Sequence, residues 1–345
     1  MKTIRWGMIG CGEVAEVKSG PGFYEARNSQ LVAVMRRNGA LAADFARRHG
    51  VPRWHDDADA IIGAADIDAV YVATLTDTHR DYTLRCAAAG KAVYVEKPMA
   101  LDLAHCIEMV DACRAGGVPL WVAYYRRALP RFVAVRELIE AGEIGDVRVV
   151  TVRQMQRAPT PRDLSAHALA WRADAARGGG LFFEGVGHTL DVLDYLVGPV
   201  AGVHAFAGNQ AGAHATEDVV VASFRFASGV YGSGTWCFAS DENDEYVELT
   251  GSRGALRFSV TRAFPIRITS SGHTRELLIA DPPHVQQPLI QSIVDELNGE
   301  ARCASSGESA LRTARVLDAI VAPSASACAR GSPDRTPGAA SIGIA

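Results

Sequence analysis

The residues best suited to chemistry lie in two short segments that are far apart in the chain. The first is Glu96-Lys97-Pro98, directly after the apolar run 92–95. A lysine ammonium close to a substrate oxygen can stabilise a developing alkoxide, and Glu96 beside it can steer the ammonium. Pro98 fixes the direction of the chain and permits a cis peptide bond, which would hold Lys97 in one orientation. We predict a catalytic role for Lys97; the alternative is a lysine that only reaches solvent from a strand end.

The second segment follows the glycine run 178–180 and contains Glu184, His188 and Asp191. If it forms a helix, spacings of four and three residues place all three side chains on one face. An imidazole with its ordinary pKa of about 6.5 can take an alcohol proton at neutral pH, and a carboxylate one turn away can set its tautomer and raise its basicity. We predict that His188 is the acid/base and that Glu184 supports it; the alternative is a histidine buried in the core.

A glycine pattern near the start of the chain predicts a dinucleotide site. Residues 10–15 read G-C-G-E-V-A and follow the first apolar run. Gly10 permits a tight turn, and Gly12 lets a pyrophosphate approach backbone N–H groups at a helix N-terminus, where Glu13 and Val14 lie. The alternative is a plain turn between a strand and a helix. We interpret Cys11 as a small filler rather than a nucleophile.

The next apolar run ends without the acid that usually binds the adenosine ribose. Met35 is followed by Arg36, Arg37 and Asn38. Arginine offers planar donors to a 2′-phosphate, and no carboxylate is present to repel that group. The sequence therefore favours NADP(H), with NAD(H) as the alternative cofactor if both arginines are solvated surface charges.

These segments need a scaffold, and the pattern of the chain predicts one. Over residues 1–125, continuous apolar runs alternate with helical stretches, which is typical of an α/β Rossmann domain with a doubly wound parallel sheet. Ligands of such sheets bind beyond the carboxyl ends of the strands, so Lys97 would lie beside a nicotinamide. Residues 126–322 contain period-two runs, predicting an α+β domain with a large, mostly antiparallel open sheet, one embedded helix near 180–197 and final helices that pack back on the first domain. Residues 323–345, rich in Ala, Ser, Pro and Gly, are predicted to be a flexible tail.

Composition narrows the class of partner. The chain has 345 residues, 48% hydrophobic and 21% charged, with a formal charge of −4. This balance excludes a basic field for nucleic acid or anionic lipid and favours a small-molecule substrate. We find no signal peptide or membrane span and expect a cytoplasmic protein. The seven cysteines are scattered without C-x-x-C spacing, so we expect reduced thiols and no metal site.

Together, the glycine pattern, Glu96 to Pro98 and the G-G-G-x-x-x-E-x-V-x-H-x-x-D stretch from Gly178 resemble the Gfo/Idh/MocA family of oxidoreductases. The resemblance extends over residues 3 to about 322. It implies NAD(P)-dependent oxidation or reduction of sugars, polyols or related alcohols, and a C-terminal sheet that often serves as an oligomer interface. We therefore expect a homo-oligomer, a dimer or tetramer, formed through this sheet.

The resemblance also implies roles for single residues. Lys97 resembles the family's catalytic lysine and His188 its acid/base, while Asp191 matches a substrate-binding acid. Two positions depart from the family pattern: Glu184 stands where aspartate is usual, and Val186 where glycine is usual. A longer carboxylate at 184 can still reach His188.

Further positions match the family's cofactor and substrate segments. We expect Thr74, Leu75 and His79 in the loop over the cofactor, where Leu75 replaces a common proline. Tyr125 and Arg126 resemble the segment that faces nicotinamide and substrate, so Tyr125 is predicted to bind substrate and Arg126 and Glu96 the cofactor. Trp171 and Arg172 resemble a substrate-contacting pair, with a structural cation–π pair as an equal alternative. Further polar candidates for the pocket, which the sequence does not rank, are Gln154, Gln156, Arg157, Asp241 and Tyr246.

The sequence predicts hydride transfer between a nicotinamide and a carbinol or carbonyl carbon of a sugar, polyol or diol. Two other readings stay open. One is a glycosidase-type relative that acts through transient oxidation by tightly held NAD. The other is a non-catalytic NADP-binding sensor.

Overall fold

The computed structural model describes residues 1–160, 162, 163, 174 and 179–328, with only the backbone for 323–328. Trp171, Arg172 and residues 329–345 of the predicted tail lie outside the described residues. Within the described part, none of the helices combines the length and apolar character that crossing a membrane requires.

The first half of the chain forms a six-stranded sheet in which every strand pair is parallel. Its strand order is β3-β2-β1-β4-β5-β6. The strands are β1 (Ile4–Ile9), β2 (Ser29–Met35), β3 (Arg53–His55), β4 (Ala69–Val72), β5 (Ala92–Val95) and β6 (Leu120–Val122). The intervening helices are α1 (Gly20–Glu25), α2 (Gly39–His49), α3 (Asp59–Ile62), α4 (His79–Ala88) and α5 (Leu103–Ala115). The continuous apolar runs are explained by burial, since all residues of β4, β5 and β6 are buried.

Helix α6 (Pro130–Glu140) leads to an eight-stranded sheet with the order β14-β13-β12-β11-β7-β10-β9-β8. Its strands are β7 (Val147–Arg157), β8 (Val200–Gly208), β9 (Val219–Phe226), β10 (Tyr231–Ser240), β11 (Asp244–Gly251), β12 (Gly254–Phe258), β13 (Ile266–Ser270) and β14 (His273–Leu277). All pairs are antiparallel except β7 with β10. The predicted fold class is therefore confirmed.

Helix α7 (Leu181–Val197) covers the inner face of this second sheet. Its apolar side packs Phe182 and Val186 into one core cluster with Trp236 of β10. The opposite side lies against the end of β6, where a Cβ on Gly187 would come 3.1 Å from the Tyr124 hydroxyl. A residue with a larger side chain at 187 would push α7 away from the first sheet, so the glycine helps to bring His188 to that sheet's edge.

The last two helices pack back on the first half of the chain, as the sequence predicts. Helix α8 (Gln287–Leu297) places Leu289 and Ile290 in the cluster that contains Trp6 and Phe23. Helix α9 (Gly307–Cys328) adds Leu311 to the cluster around β5 and β6.

Three elements differ from the sequence-based expectation. Strands β3 and β14 were not predicted; both are short edge strands, and β14 is almost wholly exposed, so neither carries an apolar run. Helix α9 continues to Cys328, which places 323–328 in a helix rather than in the predicted tail. Alanine and serine in this stretch can extend a helix that is already anchored by packing.

Candidate active site

Lys97 and Glu184 form the central ion pair of the site. Lys97 leaves the carboxyl end of β5, and its Nζ lies 2.7 Å from Glu184 Oε1 and 3.4 Å from the Glu184 carbonyl oxygen. Both side chains are largely enclosed, with 17% and 7% exposure. The Lys97–Pro98 peptide is cis, as the sequence allows. The first-domain lysine and the helix α7 are therefore joined by a direct contact.

Glu96 does not steer the Lys97 ammonium, contrary to the sequence-based expectation. Its carboxylate points the other way and accepts hydrogen bonds from the Tyr71 hydroxyl and from Gln286 Nε2, each at 2.6 Å. Its second oxygen accepts the backbone N–H of Lys97 at 3.2 Å, and Tyr94 donates to Gln286 Oε1 at 2.6 Å. Glu96 is buried, so these partners compensate its lost hydration and hold the backbone of Lys97 in place.

His188 is buried and lies between two tyrosine rings, in edge contact with Tyr124 at 5.6 Å and Tyr125 at 5.0 Å between centroids. Among the described residues its Nδ1 has no hydrogen-bond partner. Burial lowers the pKa of His188 well below its ordinary value, and the nearby charges of Arg126, Lys97 and Lys18 lower it further. The imidazole is therefore neutral at pH 7 and can accept a proton.

The two acids on the same helix have cationic partners from other elements, and the support of His188 by Glu184 stays a prediction. The Glu184 carboxylate binds Lys97, as described above. Asp191 is fully buried, and its two oxygens accept bonds of 2.8 and 2.9 Å from the Arg127 guanidinium. Because Asp191 has no exposed surface, we infer a structural role for it in place of the substrate contact that the family resemblance implies.

Arg127 is the centre of a buried ionic network that the sequence did not predict. It also binds Asp194 at 2.9 Å, and Asp194 in turn binds Arg312 of helix α9. Burial opposes the charge of Arg127, but the two carboxylates outweigh it and raise its pKa. This network ties α7 to the turn after β6 and to α9.

Tyr125 and Arg126 lie beside His188, in the short 3₁₀ turn Tyr125–Ala128. The Arg126 guanidinium carbon lies 5.1 Å from the Tyr125 ring centroid, and Arg126 Nε donates to the Val260 carbonyl at 2.8 Å. Val260 follows β12, so this guanidinium turns toward the second sheet. Its cofactor role stays a prediction.

The glycine turn has the shape that a dinucleotide needs. Gly10 adopts φ +98°, and a Cβ there would lie 2.7 Å from the Ala73 backbone, so only glycine fits. A Cβ on Gly12 would have only the Gly10 carbonyl within 4.0 Å, which leaves space beside the turn for a pyrophosphate. The chain becomes helical at Glu13 and Val14 and continues through a π-helical segment, Ala15–Ser19, into α1. Cys11 is buried, and burial raises the pKa of its thiol to about 11, which agrees with a filler.

The residues predicted to bind the adenosine end lie where β2 meets α2. Arg36 and Arg37 are exposed, and the Arg36 N–H donates to the His55 carbonyl at 3.2 Å. Asn38 caps α2 by accepting the Leu41 N–H. The charge of Arg36 reaches the glycine turn, where it opposes the rise in the pKa of Cys11. Their preference for a phosphorylated ribose stays a prediction.

The loop after β4 is fixed by His79, which is buried. One ring nitrogen lies 3.1 Å from the Thr74 carbonyl and the other 2.9 Å from the Pro98 carbonyl. The Thr74 hydroxyl accepts a bond from Thr78, and Leu75 is half-buried. His79 therefore joins the predicted cofactor loop to the Glu96-Lys97-Pro98 turn, and burial lowers its pKa.

The polar candidates for the pocket divide between the two faces of the second sheet. Gln154 is buried on the inner face, opposite Glu245, and its Oε1 has no hydrogen-bond partner among the described residues. Tyr246 points to the other face, since it follows Glu245 in β11, and its ring stacks on Arg257. Asp241 is exposed in the turn after β10. Gln156 and Arg157 line an open cavity of about 240 Å³ together with Ala158, Pro159, Asp163, Leu181 and Phe238.

Sequence reasoning missed three residues that shape the site. Arg127 and Gln286 hold other site residues, and Lys18 adds a positive charge near His188. The sequence gives a weak indication that Lys18 is near the site, because it lies in the helical segment that follows the glycine turn. Gln286 carries none, since it reaches Glu96 from a distant part of the chain.

Two family models match this chain. The model described as an oxidoreductase family with an NAD-binding Rossmann fold matches residues 4–124, and the model of the GFO/IDH/MocA C-terminal domain matches residues 132–257. The chain belongs to the Gfo/Idh/MocA family of oxidoreductases. This confirms the resemblance seen in the sequence and the enzyme class, an NAD(P)-dependent oxidoreductase.

Individual relatives agree with this membership over almost the whole chain. Oxidoreductase P35 of Formosa agariphila is 36% identical over 316 residues, covering 91% of this chain and 97% of the relative. Inositol 2-dehydrogenase of Rhizobium meliloti is 32% identical, with coverage of 92% and 96%. The crystal structure of a putative myo-inositol dehydrogenase from Sinorhizobium meliloti 1021 has a TM-score of 0.76 at 29% identity and covers 94% of this chain and 98% of that one.

Proposed function

We propose that this family member is an NADP-dependent oxidoreductase that acts on a carbinol or carbonyl carbon of a sugar, polyol or diol. The observation that carries the proposal is the contact between Lys97 and Glu184, one helical turn before His188. It joins an ammonium from the cofactor-side sheet to the helix that carries a neutral imidazole. The position of the site beyond the carboxyl end of β5 is where a parallel sheet binds its ligand.

In the oxidation direction His188 takes the hydroxyl proton, because its lowered pKa leaves the imidazole unprotonated. Lys97 donates a hydrogen bond to the same oxygen and stabilises the negative charge that develops there. The bound nicotinamide supplies the acceptor for the hydride that leaves the carbinol carbon. In the reduction direction the protonated His188 returns the proton to the oxygen.

Relatives support the substrate class. Inositol 2-dehydrogenase, which shares 32% identity over most of the chain, is named for a cyclic polyol. Gln154, whose buried Oε1 has no hydrogen-bond partner among the described residues, and the cavity beside Gln156 and Arg157 provide acceptors and donors for hydroxyl groups.

Arg36 and Arg37 support NADP(H) as the preferred form of the cofactor. Both are exposed beside the capped start of α2, and neither adjacent position is an acid. We expect NADPH to bind at least about tenfold more tightly than NADH, and Arg36→Ala to remove most of that difference while leaving NADH affinity unchanged. Fluorescence titrations of both cofactors measure this; equal affinities in the unmodified enzyme would contradict the role of Arg36.

Substitution of Lys97 tests the proposed chemistry. Lys97→Met should lower kcat about a hundredfold or more, because the developing alkoxide loses its charged donor. Cofactor affinity should stay nearly unchanged. Assays follow NADPH absorbance with a panel of sugars, inositols and aromatic diols, and Lys2→Met, a change at an exposed lysine, serves as the control.

Loss of cofactor binding alone in Lys97→Met would mean that Lys97 is structural. A sensor protein would bind NADPH, and the NADPH absorbance would not change with any compound of this panel. A glycosidase-type enzyme would release sugar without a net change in NADPH absorbance.

The proposed assembly is a homodimer or tetramer formed through the outer face of the second sheet. This face exposes large apolar side chains: Phe206 at 86%, Tyr231 at 64%, Val221 at 45% and Val149 at 42%. A covered face would remove this apolar surface from water.

A further inference from the structure

Three arginines in the segment after β6 differ in how their charges are compensated. Arg127 binds the carboxylates of Asp191 and Asp194, and Arg131 binds Asp281 at 2.9 Å. Arg126 differs: within the described part of the chain its guanidinium has no carboxylate partner, only the Val260 carbonyl and the Tyr125 ring. Its Nη1 is enclosed by protein and has no hydrogen-bond partner there. The charge of Arg126 is therefore the uncompensated one of the three.

The acids nearest to Arg126 are already committed. Glu245 is buried and accepts bonds from the Ser259 hydroxyl, from the Val260 N–H at 2.7 Å and from the Thr261 hydroxyl at 2.9 Å. Asp281 is held by Arg131. Their charges still favour the guanidinium from a distance, but burial outweighs them and the pKa of Arg126 is lowered. Arginine nevertheless stays protonated in proteins, so the site holds a poorly solvated cation.

This cation lies next to the proposed acid/base. The Arg126 guanidinium is 5.1 Å from the Tyr125 ring, whose centroid is 5.0 Å from that of His188. Its charge is felt by His188 more strongly than that of Lys97. Lys97 already has a counterion in Glu184, whereas Arg126 is partly buried beside Tyr125 with no carboxylate partner among the described residues.

We propose that Arg126 binds a carboxylate carried by the substrate, so that the preferred substrates are acidic sugars or polyols such as uronates and aldonates. This inference rests on the proposed function and names the substrate class of the same site. A planar carboxylate can accept from the guanidinium donors of Arg126 other than Nε, which Val260 already occupies. Pairing in a partly dehydrated site compensates a charge that has no carboxylate partner among the described residues. The turn of Arg126 toward Val260 and the second sheet supports a substrate contact rather than a contact to the glycine turn.

Stereochemically matched pairs test the inference: glucose with glucuronate, galactose with galacturonate, and glucitol with gluconate. In the unmodified enzyme the acid of the best pair should have a kcat/KM at least about tenfold above its neutral partner. Arg126→Met should raise KM for that acid about thirtyfold, with KM for the neutral partner and NADPH affinity changed less than about threefold. Arg126→Lys should restore part of the preference, since it keeps the charge and loses the planar fork.

Arg136→Met is the matched control, because Arg136 is an exposed arginine on α6 whose partners are Glu140 at 2.7 Å and the Tyr195 ring at 4.8 Å. It should leave the preference unchanged. Thermal unfolding of each variant separates loss of fold from loss of binding. The carboxylate site would be overturned if the unmodified enzyme preferred the neutral members or sugar phosphates. It would also be overturned if Arg126→Met lowered kcat/KM equally for both members of a pair, or if it weakened NADPH binding. Turnover of neutral polyols alone would leave the oxidoreductase function standing, whereas an unchanged NADPH absorbance with every compound would overturn both.

Discussion

Substitution of Asp191 distinguishes a structural role, which its buried ion pair indicates, from the substrate-binding role that the family resemblance implies. Asp191→Asn keeps the shape of the side chain and removes its charge, while Arg127 stays 4% exposed and charged. Two of the guanidinium's bonds, of 2.8 and 2.9 Å, lose their anionic acceptor. Removing one partner of a buried ion pair costs about 3–5 kcal/mol, and Asp194 at 2.9 Å compensates part of the charge, so we expect the free energy of unfolding to fall by about 3 kcal/mol.

Urea denaturation measures the stability, and steady-state kinetics with the best substrate of the polyol panel measures KM. The expected result is the loss of stability with KM changed less than about twofold in whatever fraction stays folded. Asp194→Asn is the matched control, since it belongs to the same network one helical turn farther from His188. A large rise in KM for Asp191→Asn, at unchanged stability, would refute the reasoning and restore Asp191 as a substrate ligand.

Two other predictions follow from the same site. Burial and the charges of Arg126 and Lys97 lower the pKa of His188 well below 6.5, so the base is already unprotonated at neutral pH. The kcat/KM for oxidation should therefore show no decline from pH 7.5 to about pH 6; an acidic limb with an apparent pKa at or above 6.5 would contradict this prediction. Gln286→Leu should lower the free energy of unfolding by about 2–4 kcal/mol, because the Glu96 carboxylate and the Tyr94 hydroxyl each lose a buried hydrogen-bond partner. Denaturation curves that coincide with those of the unmodified enzyme would exclude this structural role of Gln286.

The sequence predicted the two sheets and the place of the motifs because these follow from local pattern. Continuous apolar runs such as β4 and β5 are buried on both faces, and period-two runs such as β9 are buried on one. The motif lysine follows directly from the end of β5, so its position at the sheet edge needed no tertiary information. Short edge strands such as β3 have too few residues to show a hydrophobic pattern, so the sequence does not predict them.

The partners of the acids could not be predicted, because spacing along a helix defines a face and not what lies opposite. Glu184 and His188 do share α7, yet Glu184 meets Lys97 from the end of β5, and Asp191 meets Arg127 from the turn after β6. Each partner arrives from another element, and the choice depends on how closely the elements pack. The same holds for Gln286, which reaches Glu96 from the approach to α8.

The ionisable groups of the site have complementary states set by their surroundings. Lys97 is paired with Glu184, whereas His188 is kept neutral by burial and by the cations around it. This arrangement suits removal of a proton from an alcohol. A carboxylate bound at Arg126 would cancel one of those cations and so raise the pKa of His188, which makes the imidazole a stronger base when an acidic substrate is in place. A neutral substrate would leave that cation uncancelled, so the same arginine that selects the ligand would also tune the group that deprotonates it.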